Sequence, residues 1–205
     1  MEKTQDHWNH VYKSKQPDQV SWYAPHLSRS LDLIRTAAKD MSSSIIDVGT
    51  GESTLVDDLL ASGYYNVSAL DLSEVALASI KQRLKASQTV SWYVGDITAI
   101  TLPEAEFDVW HDRAVFHFLT DVADRQAYVS QVLRAVKAGG HVIVATFGPS
   151  GPLSCSGLET VRYNADELHA QFGAKFHLAN HATENHSTPW GTVQQFTYCY
   201  CRVAD

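Results

Sequence analysis

The feature that most restricts how this chain can fold is the alternation of short apolar runs with amphipathic stretches. Most runs end just before a glycine or an aspartate, where a strand would stop. We predict five strands, at 44–48, 67–70, 90–94, 107–110 and 141–147. Strands that alternate with helical stretches are typical of α/β proteins with a largely parallel sheet.

The amphipathic stretches carry apolar residues at the spacing of helical turns. We predict a short helix near 8–12 and longer helices from Leu27 to Ala38, from Leu55 to Gly63, after the capping residue Ser73, and over 124–137, where Gly139 and Gly140 are expected to terminate the helix.

After Phe147 the pattern changes to a loop at 148–152, a short helix at 164–172 and two strands near 175–184 and 192–203. The prediction is an α/β, Rossmann-like, doubly wound sheet, mostly parallel with an antiparallel C-terminal strand, and with helices on both faces. No linker divides the chain. We expect one domain over 1–205: N-terminal helices or a lid at 1–40, a ligand-binding core at 41–147, and substrate-side loop and strands at 148–205.

Charge and composition argue against several classes of function. The 16 basic and 23 acidic residues give a net charge of −7, which repels polyanions, so no nucleic-acid partner is expected. No run approaches the roughly 20 apolar residues of a membrane span, and 1–10 lacks the apolar core of a signal peptide. The three cysteines and the spacing of the C-terminal histidines indicate neither disulfides nor a metal site. We expect a cytoplasmic monomer or weak dimer that contacts no membrane.

A glycine-rich loop follows the first predicted strand, with Asp47, Gly49 and Gly51 in sequence. Glycine lets the backbone turn sharply and approach a ligand closely. Asp71 ends the next strand, where it can accept hydrogen bonds from ribose hydroxyls. A dinucleotide-binding loop would need glycine where Thr54 stands. The acidic Asp47 also suits a cationic ligand better than a pyrophosphate, and this favours S-adenosylmethionine (SAM) over NAD.

Segment 111–119 (HDRAVFHFL) resembles that of the small single-domain thiopurine and tellurite-resistance types, and four other segments together resemble the ordered motifs of class I SAM-dependent methyltransferases. They are 45–54 (IIDVGTGEST), 70–73, 95–97 and 107–109, and the likeness covers roughly 40–147. Segment 133–147 is similar to the family's helix leading into the fifth strand. Ser53 departs from the pattern, because many members have a third glycine there.

The resemblance implies a role for each matching residue in binding SAM and its product S-adenosylhomocysteine (SAH). Gly49 and Gly51 would line the methionine part, and Asp47 would organise the loop or hydrogen-bond to the ligand through water. The remaining roles would be ribose binding by Asp71, packing on the adenine by Leu72, and contacts to the adenine edge by Asp96 and Ile97. The segment with Trp8, Tyr12, Trp22 and Tyr23 resembles an N-terminal lid, and its aromatic rings can also attract a sulfonium.

The sequence defines the residues that would bind the methyl acceptor less clearly. Asp112 or Arg113 would orient the acceptor and His117 would remove its proton. The alternative is a structural ion pair between Asp112 and Arg113, with His117 in packing. We expect transfer of a methyl group to a small molecule at an O, N or S atom. A protein-lysine methyltransferase, a SAM-binding module without catalysis and a nicotinamide oxidoreductase remain alternatives.

Overall fold

A computed structural model of the chain describes residues 2–84 and 89–205. Seven of its strands form one sheet in the order β3-β2-β1-β4-β5-β9-β8, and β6 and β7 form a separate small hairpin. The strands are β1 (Ile45–Val48), β2 (Val67–Asp71), β3 (Val90–Val94), β4 (Phe107–Arg113), β5 (Val136–Phe147), β6 (Ser154–Cys155), β7 (Leu158–Glu159), β8 (Phe176–Ser187) and β9 (Val193–Val203).

Six α-helices accompany the strands in the described residues. They are α1 (Glu2–Ser14), α2 (Ser28–Ala37), α3 (Leu55–Ala61), α4 (Glu74–Arg83), α5 (Val122–Ala135) and α6 (Ala165–Phe172). Ser73 caps α4 as predicted, since its hydroxyl accepts from the Ala76 N–H. Asn164 and Glu167 form a capping box at the start of α6.

The direction of the strands confirms the predicted fold. Strands β1 to β5 pair in parallel, and β9 runs antiparallel to both β5 and β8. The sheet is therefore mostly parallel with one reversed strand. The chain moves from β1 to one side for β2 and β3 and to the other for β4 and β5, so the carboxyl end of β1 is the switch point where such sheets bind ligands.

Each face of the sheet has its own core, because successive strand residues point to opposite faces. Ile45 packs with Leu55 of α3 and Ile80 of α4 on one face. Ile46 packs with Trp110 and with Tyr128 of α5 on the other. Helices thus cover both faces, as the sequence predicts.

Several boundaries differ from the prediction. Helix α1 is longer than 8–12, and β4 continues through Arg113 instead of ending at Trp110. Strand β5 begins directly after α5, so Gly139 and Gly140 lie within the strand and do not end the helix. Gly139 has a φ of 71°, where a side chain would be strained. These glycines form an irregular start to β5, and the hairpin of β6 and β7 was not predicted.

Candidate functional site

The loop after β1 turns where two glycines have positive φ, 68° at Gly49 and 53° at Gly51. The N–H groups of Gly49 and Thr50 both donate to the carbonyl of Leu70, at 2.7 and 3.1 Å. A Cβ at Gly49 would lie 1.9 Å from Cγ2 of Val115, and one at Gly51 would lie 2.7 Å from the hydroxyl of Tyr12. The turn is therefore closely covered by side chains and requires glycine at both positions.

Asp71 holds this loop against β2. Its Oδ2 accepts from the Gly51 N–H at 2.8 Å, and its Oδ1 accepts from the Ser73 N–H at 2.7 Å. Burial raises the pKa of Asp71 to about 6, against the lowering effect of these two N–H groups. Loop organisation, assigned to Asp47 by the sequence, is thus carried out by Asp71. A carboxylate has about four acceptor positions, so two remain for a ligand.

Asp47 is instead one half of a buried pair with His111. Its Oδ1 lies 2.7 Å from Nδ1 of His111, because the parallel register places these two residues opposite each other on β1 and β4. Within the described part of the chain, Oδ2 of Asp47 and Nε2 of His111 have no partner. Sequence patterns did not single out His111 as a site residue. Its position opposite Asp47 depends on strand register.

Two neighbouring cavities open at this end of the sheet. The larger has a volume of about 490 Å³, and the smaller about 50 Å³. Asp47, Gly51 and His111 line the smaller one, whereas the larger extends along the carboxyl ends of β2 and β3. Its lining there comprises Leu70, Asp71, Leu72, Gly95, Asp96, Ile97 and Thr98.

Asp96 has a structural role at this edge as well. Its Oδ1 accepts from both the backbone N–H and the hydroxyl of Thr98, at 2.8 and 2.7 Å. Asp96 thus stabilises the turn after β3, and it borders the larger cavity as well. The predicted cofactor residues Leu72, Asp96 and Ile97 come together at one wall.

The aromatic N-terminal segment covers the cavities. The Trp8 ring makes edge contacts with Trp22 at 5.8 Å and with Phe118 at 5.3 Å between centroids. Tyr12 and Trp22 line both cavities, and Tyr23 lines the smaller. This arrangement docks the segment onto the core and places its aromatic rings at both cavities.

Asp112 points away from the site. Successive residues of β4 point to opposite faces, which places Asp112 with α5 and separates it from Arg113. Its carboxylate accepts from the N–H groups of Val115 and Phe116 and from the hydroxyl of Tyr128 at 2.7 Å. Burial raises the pKa of Asp112 to about 6. The ion pair considered with Arg113 is not formed, and Asp112 does not line either cavity described above.

His117 is fully buried on the short turn Phe116–Phe118. Its Nδ1 accepts from the Phe147 N–H at 3.2 Å, and its ring stacks on Phe147 at 4.3 Å. Burial and the charge of Arg113 lower its pKa to about 3. A ring with so low a pKa is a weak base and lies outside both cavity walls, so the geometry favours packing over proton removal.

We predict that His117→Phe lowers stability and leaves SAH binding within about twofold of the wild type. The Phe147 N–H would lose its acceptor inside the core, which costs about 1–3 kcal/mol. Thermal unfolding measures this, at about 2–4 °C per kcal/mol for a chain of this size. An unchanged unfolding temperature together with lost methyl transfer would restore the base role.

Arg113 lines both cavities and is 8% exposed. Its Nη1 donates to the carbonyl of Trp22 at 3.3 Å, and its guanidinium lies 4.2 Å over the ring of Phe196. Of the three residues predicted for catalysis, it alone reaches the cavities. The site therefore joins Arg113 to the loop after β1, hereafter the donor loop because the resemblance assigns it to the methyl donor, and leaves Asp112 and His117 in structural positions.

The residues that line the cavities fit SAM. Leu72, Asp96 and Ile97 offer an apolar wall with polar edges for an adenine, and Asp71 has free acceptor positions. The unpartnered Oδ2 of buried Asp47 suits an ammonium donor near Gly49 and Gly51. Among the described residues, no group of three or more His, Cys, Asp or Glu could hold a metal ion. No described helix could span a membrane.

Comparison with protein families gives a match to the model described as "Methyltransferase domain" over residues 46–144. The chain is 28% identical over 143 residues to an eEF1A lysine and N-terminal methyltransferase homolog of Drosophila pseudoobscura pseudoobscura, covering 66% of this chain and 21% of that protein. It is 31% identical over 130 residues to a malonyl-[acyl-carrier protein] O-methyltransferase of Halalkalibacterium halodurans, covering 62% and 47%. The chain thus spans between a fifth and a half of these relatives.

The fold is similar to that of a solved N-methyltransferase, NodS of Bradyrhizobium japonicum WM9, in complex with SAH. The TM-score is 0.70 at 13% identity, and the match covers 98% of this chain and all of that one. The likeness extends over the N-terminal segment and the C-terminal strands, beyond the residues of the family match.

Proposed function

Because this chain belongs to the class I SAM-dependent methyltransferase superfamily, we propose that it transfers a methyl group from SAM to a small-molecule acceptor. The observation that carries the acceptor class is the larger cavity. Its volume of about 490 Å³ has to hold the donor and the acceptor together, and aromatic side chains of the N-terminal segment cover it, so the acceptor is a small molecule.

The donor would lie along the carboxyl ends of β1, β2 and β3. Asp71 would accept from the ribose hydroxyls, and Leu72, Asp96 and Ile97 would contact the adenine. Gly49 and Gly51 would let the methionine part approach the backbone, near Asp47. When bound, SAM supplies a methyl group activated by its positive sulfonium.

The chain itself would contribute alignment and exclusion of water. Trp8, Trp22, Phe118 and Phe147 border the larger cavity, and their apolar rings would keep the reacting atoms dry. Positioning of this kind supplies much of the rate of a transfer reaction. No proton-removing side chain is assigned, because His117 packs away from the cavities.

The raised pKa of Asp71 gives this proposal a pH dependence. Ribose hydroxyls donate to the ionised carboxylate, so SAH affinity should be constant above about pH 7 and fall towards tenfold per pH unit below about pH 6. The effect of Asp71 on folding has the opposite sign: a pKa raised by folding favours the folded state at low pH and loses that contribution as pH rises through about 6. Calorimetric titration across pH measures the SAH affinity. If the affinity of Asp71→Asn fell equally below about pH 6, the assignment of the ribose role to Asp71 would be contradicted.

Methyl-labelled SAM tests the acceptor class. The purified chain is incubated with labelled SAM and a whole-cell extract, and the products are separated into small extractable compounds and protein. We expect label in the small compounds, and much less of it with Asp71→Asn when SAM is kept below its dissociation constant. Label confined to a protein band would overturn the proposal.

The second candidate is a protein-lysine methyltransferase. It is favoured by the 28% identity to the eEF1A-type relative, whose name refers to lysine methylation. The same labelling experiment separates the two candidates, because label on a protein acceptor would remain with the protein after the small compounds are extracted.

A further inference from the structure

We propose that Arg113 is an oxyanion receptor, and that the methyl acceptor of this site is an anion, carrying a carboxylate or a similar group. This inference rests on the proposed function, since it names the acceptor class of the same site. The observation behind it is a buried guanidinium that is anchored at one nitrogen and left open at the other two.

The open nitrogens lie on one edge of the side chain. Nη1 donates to the Trp22 carbonyl, whereas Nε and Nη2 are buried and find no acceptor among the described residues. The N–H groups of Nε and Nη2 point in the same direction from the planar group. That edge is the fork which binds the two oxygens of a carboxylate in parallel.

The charge of Arg113 also has no ion-pair partner in the part of the chain that is described, although the Glu184 carboxylate acts on the same neighbours, Tyr198 and His186. None of the ion pairs formed by the described residues includes it. The nearby ring of His186 has a lowered pKa, through burial first and then through Arg113. An unpaired buried cation is costly, and a bound anion would offset that cost.

The contacts of the guanidinium place it on the acceptor side of the site. It packs on Phe196 of β9, and β5 separates β9 from β4. The donor loop follows β1, on the other side of β4. Cys155, Phe118 and Phe147 line the larger cavity together with Arg113, so the expected acceptor has an apolar body beside its anionic group.

Benzoate and its neutral analogue benzamide are suitable probes. Each is titrated by calorimetry into the full chain saturated with SAH, in the wild type, in Arg113→Gln, in Arg113→Lys and in Arg162→Gln. The last is a matched control, since exposed Arg162 bonds to the carbonyl of Pro149 and lines neither cavity. We expect benzoate to bind at least about tenfold more tightly than benzamide in the wild type and in Arg162→Gln. Arg113→Gln should lose this preference, and Arg113→Lys should keep part of it.

The competing source of a carboxylate is the donor itself. SAH and its decarboxylated analogue are therefore titrated into the wild type and Arg113→Gln. Equal SAH affinity in both supports the acceptor assignment. If Arg113→Gln binds SAH tenfold more weakly than the wild type but binds the decarboxylated analogue equally well, Arg113 contacts the carboxylate of the donor, and the proposal is overturned. A preference for benzoate over benzamide that persists in Arg113→Gln would also overturn it. Failure of the proposed function looks different: the wild type would then bind no SAH, or the methyl label from SAM would enter protein and not small compounds.

Arg113→Gln should also remain folded. It removes an unpaired buried charge and loses only the 3.3 Å bond to the Trp22 carbonyl, so its thermal unfolding temperature without ligand should equal or exceed that of the wild type. A lower temperature in Arg113→Gln that Arg113→Lys restores would show that the charge is compensated within the chain, and would contradict the receptor role.

Discussion

Replacing Asp71 with asparagine should weaken SAH binding by about 10- to 100-fold, which corresponds to about 1–3 kcal/mol for a lost charged acceptor. The carboxylate is expected to accept from the ribose while it holds the Gly51 and Ser73 N–H groups. Asparagine keeps one acceptor oxygen and presents an N–H group in place of the other. The loop would loosen and the ribose would lose its partner, so both effects reduce affinity.

A matched control distinguishes a specific loss of SAH binding from a general loss of folding. Asp57→Asn alters a carboxylate on α3 that pairs with Arg83 at 2.9 Å and lines neither cavity. It should leave SAH affinity within about twofold. Calorimetry on both variants, with circular dichroism to confirm folding, makes the comparison. An Asp71→Asn variant that binds SAH like the wild type would remove the ribose assignment.

Replacing Asp112 with alanine should produce the largest loss of stability of any site residue discussed. Three buried donors would lose their acceptor at once: the N–H groups of Val115 and Phe116 and the hydroxyl of Tyr128. Each buried unpaired group costs about 1–3 kcal/mol, so we expect a loss of at least about 3 kcal/mol. This is a large part of the 5–15 kcal/mol typical of a folded domain.

Thermal and chemical unfolding measure this loss, and Tyr128→Phe is the graded comparison. That variant removes only the hydroxyl bond and the partner of the Trp110 ring N–H at 2.9 Å, so it should cost less than Asp112→Ala. Asp112→Asn keeps one acceptor and should lie between. Equal stability of the wild type and Asp112→Ala, with methyl transfer abolished, would instead return Asp112 to a catalytic role.

The fold and the donor loop are readable from sequence because they depend on local pattern. Apolar runs that end at Gly49, Asp71 and Gly95 place three strand ends, and the topology of a doubly wound sheet brings those ends to one edge. Capping by Ser73 follows from residue type and position alone. The structure confirms these features because few alternative arrangements satisfy them.

The acceptor side is harder to predict because it depends on the register of the strands and on the face of the sheet to which each side chain points. His111, Asp112 and Arg113 are adjacent in sequence, but the strand period of two separates Asp112 from its neighbours. His111 finds Asp47 through the register of β1 and β4, which pattern does not supply. His117 looks like a base beside a cavity, yet the turn after β4 directs its ring into the core against Phe147.

Calorimetric titration of the purified chain with SAH, beside NAD as the competing nucleotide, tests the central claim of a SAM site at the carboxyl edge of β1 and β2. We expect saturable one-to-one binding of SAH that SAM displaces, and no binding of NAD. Binding of NAD with no detectable binding of SAH would contradict it.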